Sequence, residues 1–147
     1  DTLSTAWNNS EPTATNFSLG TWSQVNGNNN AMVCFLFSSL SGICKVGSYS
    51  GNGGTSANGN GQDIDCGFSN GARFVLIKPF NAAEHTFLYD TQRGIVAGND
   101  STLLLNQSAA PTSSSDEIDP INSGFRVLNQ NNQLNRTGRN YWFYAIA

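Results

Sequence analysis

Apolar residues fall in short runs bounded by turn formers. The last run, RNYWFYAIA at 139–147, alternates, and on a strand it puts Tyr141 and Phe143 on one face and Trp142 and Tyr144 on the other. ARFVLIKPF at 72–80 reads as a strand that Pro79 stops, and EHTFLYD at 84–90 pairs with it as a hairpin across a short loop. Further strands are expected in AMVCFLFSSL at 31–40, STLLLNQ at 101–107 and SGFRVLNQ at 123–130. No window shows a capped 3.6-residue period. Strands at this spacing, joined by Asn/Gly turns, predict an all-β, antiparallel sandwich of jelly-roll or concanavalin-like type, with little or no helix. Two stretches read as polar surface loops. One is SYSGNGGTSANGNGQ at 48–62. The other is APTSSSDEIDP at 110–120, carrying Asp116, Glu117 and Asp119. The glycine-rich stretch lacks the G-K-[ST] ending of a phosphate cradle, and no helix signal follows it.

Composition narrows the function. At 147 residues the chain is one domain by length, long enough for a real core. Only 12% of residues are charged, the net charge is −3, and there is no basic cluster, so nucleic acid and anionic membrane are excluded as expected partners. No run approaches a membrane span. The first residue is Asp, which is read as processing or as a longer parent chain. Cys34, Cys44 and Cys66 make an odd set with no C-x-x-C spacing, expected as buried thiols, with a Cys34–Cys44 bridge as the alternative.

Candidate chemistry is sparse. His85 is the single histidine, so no nucleophile–base set is assembled and catalysis is not expected. In YDTQRG at 89–94, Asp90 and Arg93 precede a glycine. A carboxylate closing a turn and forked by a guanidinium is the expectation, with a ligand clamp as the alternative. Asp63 and Asp65 share one face of a strand, and with Asn60 they are weighed as a Ca²⁺ set against a solvated strand face, which is the expectation. No metal or cofactor is expected. Trp142 and Tyr144 occupy whichever face of the closing strand misses the core, so they are the candidate ligand contacts, for a neighbouring subunit or for the C–H face of a sugar.

The chain also echoes itself. WNNSEPTATNFSLG through AMVCFLF, 7–37, runs in the same order as LNQSAAPTSSS through NYWFYAIA, 105–147: N-x-S, Pro-Thr, a short strand, an Asn/Gly turn and an aromatic strand. The first copy lacks a front half, so 1–45 reads as the second half of a preceding module and 46–147 as one complete module.

Four stretches in that order carry a resemblance: KVGSYSGNG at 45–53 with IDCGFSNGARFVLIK at 64–78, HTFLYDTQRG at 85–94, SGFRV at 123–127, and NRTGRNYWFYAIA at 135–147. They resemble a family of repeated β modules in bacteriophage virion proteins, in tail fibres and related appendages of phages that infect marine bacteria. The loop 95–102 departs from the pattern. The resemblance implies a virion, hence extracellular, structural or receptor-contacting protein with no catalytic residues. Its partners would be other copies of itself, in a homotrimer, together with virion proteins and a host surface glycan. Two other readings stand beside it: a carbohydrate-binding module of a secreted bacterial protein, and a capsid decoration protein.

Overall fold

The structure, a computed structural model, describes residues 4–55, 59–128 and 133–147. The tip of the glycine-rich stretch, 56–58, and the end of the expected strand 123–130, from 129, lie outside the described residues. The chain divides into two compact units, 1–36 and 37–147.

The first unit holds two single-turn helices, α1 (Ser4–Trp7) and α2 (Ser23–Asn26). Turn chemistry and backbone bonds organise it. Thr13 Oγ1 accepts the Asn16 amide at 3.0 Å, Gly20 N donates to Ala6 O, and Asn26 Nδ2 donates to Gly20 O. The expected strand over 31–40 does not form: 31–39 lies in no strand, and Leu40 alone makes a bridge, to Cys44. Among the described residues no strand pairs with 31–36, and an apolar run without a partner strand has nowhere to place its backbone bonds.

The second unit is the antiparallel β-sandwich that the alternation predicts. One sheet has six strands in the order β1-β9-β3-β4-β5-β6: β1 (Cys44–Ser50), β3 (Phe74–Pro79), β4 (Phe87–Asp90), β5 (Asp100–Leu104), β6 (Thr112–Ser115) and β9 (Asn140–Ile146). The other has three in the order β2-β8-β7: β2 (Gln62–Asp65), β7 (Ile118–Ile121) and β8 (Gly124–Val127). The stretch 110–120, expected as a loop, is thus largely strand. Its Ser/Thr run pairs with β5, and Ile118 pairs with Val127.

Register decides which side chains are buried. β9 is central, bonded to β1 and β3, with Phe143 opposite Gly47 on one side and Ile77 on the other. Its odd positions Tyr141, Phe143 and Ala145 face inward and are buried, beside Tyr49, Val75, Ile77, Phe87 and Tyr89. The three-stranded sheet contributes Ile64, Ile118, Phe125 and Val127 to the same core, and Phe125 meets Phe143 edge to face with centroids 5.3 Å apart. Gly47 belongs here because a Cβ at that point would lie 2.5 Å from the Phe143 ring. The glycine-rich stretch is anchored at its start. Fully buried Asn135 accepts from Asn52 N through Oδ1 and donates through Nδ2 to Asn52 Oδ1 and Gly54 O.

Candidate functional site

Each sheet has an outer face, and the two differ in chemistry. On the three-stranded sheet the outward row is Asp63, Arg126 and Asp119, one residue from each strand. Arg126 donates through Nε and Nη2 to both oxygens of Asp63, and that bond holds the Asp63 carboxyl below its usual range and raises Arg126. Asp65 Oδ1 accepts from Gly67 N at 2.8 Å. The strand face is therefore solvated, with Asp63 ion-paired and Asp65 bonded to the backbone, and among the described residues no three His, Cys, Asp or Glu side chains converge as a metal site.

The outward face of the six-stranded sheet is apolar. Its middle row runs Val46, Tyr144, Leu76, Leu88 and Leu103 across five strands. The rows beside it are Ser48, Trp142 and Lys78, and Cys44, Ile146, Phe74 and Asp90. Phe37 lies over this face with its ring centroid 4.4 Å from that of Tyr144, and Phe74 meets the same ring edge-on at 6.3 Å. Trp142 and Tyr144, which the alternation sets apart from the core, are brought together here, and both are half-buried. Around Trp142 the chemistry turns polar. Ser48 is exposed, Lys78 Nζ donates to Glu84 O, and Ser50 donates to Asn140 Oδ1.

Asp90 and Arg93 sit at one edge of this face and are bonded to each other. Arg93 donates to Asp90 from both its backbone N and its guanidinium, Gly94 N donates to Asp90 O, and Gly94 adopts φ 111°, a conformation that favours glycine. The geometry is that of a closed turn. Its carboxylate oxygens are already engaged by Arg93, which leaves little for a ligand.

Sequence reasoning missed the buried carboxylates. Asp100 is almost fully buried and accepts the backbone N–H groups of Glu117 (3.0 Å), Ile118 (2.9 Å) and Val96 (3.3 Å). It fastens the start of β5 to the link between β6 and β7. Burial pushes its pKa up to about 6 against the pull of those bonds. Asp100 follows Gly98 and Asn99 in sequence, so it resembles a turn residue and carries no signal of burial. Glu117 is also buried, and desolvation raises the neighbouring phenols Tyr49 and Tyr89. Cys34 is exposed, Cys44 half-buried and Cys66 buried, and all three are free thiols. The bridge is absent, and of the three only Cys66 takes the buried place expected of it. Burial raises its thiol to about 11, which keeps it protonated and unreactive at neutral pH. No helix among the described residues is long and apolar enough to cross a membrane.

Compared with known proteins, residues 1–147 match one family, described as a domain of unknown function, DUF7483. No curated protein and no solved structure matches.

Proposed function

The chain belongs to the DUF7483 family, and from that premise and the surfaces described above we propose that it is a non-catalytic module of a bacteriophage virion, a tail-fibre or appendage unit that works by contact. The observation that carries this reading is the contrast between the two outer faces. A sandwich that meets only water has polar residues on both. Here one face is ion-paired, whereas the other is an aromatic and aliphatic field in which Leu76 is buried, Phe37 packs on Tyr144, and Val46, Leu88, Leu103 and Trp142 stay partly exposed around them. Such a field is the mark of a surface that meets another molecule. The four sequence stretches that resemble phage modules supply the context. Partners are other copies of the chain, neighbouring virion proteins, or the host surface.

The polar surround of Trp142 favours a second reading. A half-buried indole between Ser48 and Lys78, with Asn140 beyond, has the flat ring, hydroxyl and amide that a sugar needs. On that reading the module, in a virion or in a secreted bacterial protein, docks on a glycan.

Antibody raised against residues 37–147 tests the first reading. Immunogold labelling of purified phage particles is expected on tail fibres or appendages. Particles that carry none of the chain by mass spectrometry would defeat it. A glycan array probed with wild type and Trp142→Ala tests the second, which fails if no glycan distinguishes the two proteins.

A further inference from the structure

The two halves of the internal echo meet opposite fates. Aligned end to end, 30–37 corresponds to 140–147, so Val33 and Phe35 stand where Phe143 and Ala145 stand in β9. In β9 those positions are 3% and 0% exposed, in a strand bonded on both sides. In the first copy Val33 is 83% exposed, Phe35 78% and Leu36 69%, and no strand forms. The run AMVCFLF has strong β propensity, with no charge, glycine or proline to guard it. It has the composition of a strand and no ladder.

An open ladder exists on the same molecule. Ala147 N donates to Ile43 O, and Gly51 N donates to Arg139 O, which fixes the bonding parity between β1 and β9. The odd residues of β1 bond to β9, so Cys44, Val46, Ser48 and Ser50 turn their backbone groups outward. At Cys44 both groups bond Leu40, and at Val46 both bond Ser39 Oγ. At Ser48 and Ser50 the outward groups meet no partner among the described residues. Half of this edge is closed and half is open.

Of the four sheet edges, this is the one beside exposed large apolar residues: Val46 lies on its closed half, and Leu40 and Ile43 lead into it, while the open half carries Ser48 and Ser50. β6 presents Thr and Ser, β2 carries Asp63 and Asp65, and β7 carries Asp119. Lys45 is the one charge between residues 31 and 50, and it lies outside the open half.

Resting on the reading that the chain works through contact with its own kind, we propose that residues 32–36 of one copy add as a strand to the open half of β1, at Ser48 and Ser50, in a second copy. This five-residue segment spans about 17 Å, enough to cover the open half of β1. On the donor, exposed Val33, Phe35 and Leu36 supply apolar area, roughly 150 Å² from the aromatic ring alone, towards the ~800 Å² per partner of a stable interface, and the acceptor supplies the free backbone groups of Ser48 and Ser50. Each copy donates one segment and offers one edge, a head-to-tail contact that yields a ring when the rotation closes and an open filament when it does not.

Sedimentation of the full chain, from micromolar to near-millimolar concentration, tests the proposal alongside amide exchange. Self-association is expected, with slow exchange at 33–36, Ser48 and Ser50 in the oligomer. Phe35→Asp removes the donor. Ser48→Pro removes one outward N–H while sparing every bond to β9, a place where an edge strand tolerates proline. Each is expected to weaken association at least about tenfold, with the circular dichroism spectrum and melting unchanged. If one variant fails to fold, the other and the wild-type exchange pattern still decide. The proposal is overturned by a wild type that stays monomeric, whether 33–36 exchange fast or slowly, and equally by an oligomer that the folded variants leave intact. A monomer on labelled particles would sink the proposal and spare the virion reading, and an oligomer absent from particles would do the reverse.

Discussion

At the scale of single residues, Asp100 is the side chain whose titration bears on the fold. Its carboxyl is buried, yet it takes three backbone N–H groups, and burial outweighs them, so its pKa rises from 3.8 to about 6. In the unfolded chain the same group titrates near its ordinary value. Between about 4 and 6 the folded state therefore holds a proton that the unfolded state has released. The sign follows: the contribution is fully present below about pH 4 and is lost as pH rises through about 6. Asp100→Asn cannot titrate, and its amide oxygen still accepts from Glu117 and Ile118. Relative to that variant, the wild type is expected to gain on the order of 1–3 kcal/mol between pH 7 and pH 4. Urea midpoints measured across that range check this, and parallel profiles for the two proteins would contradict it. Asp63 works in the opposite direction. Its carboxyl is lowered by Arg126, so that pair weakens as pH falls through the carboxylate range, but it is solvent-exposed and contributes little.

At the scale of elements, alternation placed β9, where Tyr141, Phe143 and Ala145 are buried at every second residue, and a continuous apolar run, Phe74 to Ile77, placed β3. Alternation split the closing strand into two faces, of which the structure turns the one with Trp142 and Tyr144 away from the core. It failed where partnership rather than composition decides. Residues 112–115 are Thr and Ser, with no apolar signal, and become a strand because β5 lies beside them. Residues 31–37 have every local mark of a strand and form none, because a ladder needs a second edge. The burial of Asp100 and Asn135 was illegible for a similar reason: their partners lie up to 83 residues away in sequence. The two faces of β9 offer a direct test. Phe143 is 3% exposed and meets Phe125 across the sandwich, so Phe143→Ala is expected to cost about 3–5 kcal/mol. Trp142→Ala, one residue away, removes only cross-strand contact on the outer face, which is worth less than about 1 kcal/mol. Chemical denaturation of both variants measures the contrast. Equal losses would mean that the outer face is packed as tightly as the core.

At the scale of the whole molecule, the division at Leu36 and Phe37 separates the core from the run that lacks a ladder. Every member of the hydrophobic core, from Tyr49 to Ala145, belongs to the second unit, as do both sheets. The backbone bonds closing the open ends of β1, from Leu40 N to Cys44 O and from Ala147 N to Ile43 O, also lie within it. Among the described residues, removing 1–36 therefore takes away buried Ala6 but no side chain of the Tyr49–Ala145 core and no strand-to-strand bond. A chain of residues 37–147 is expected to unfold in one cooperative step, with a midpoint within about 4 °C of the full chain, equivalent to roughly 1 kcal/mol or less for a domain of this size. It also loses Val33, Phe35 and Leu36, and with them much of the apolar surface that the full chain exposes, so it should be the more soluble of the two. Calorimetry and a solubility series on the two proteins compare them. A shortened chain that melts far below the full one, or over a broad non-cooperative range, would mean that the first unit is part of the stability of the sandwich.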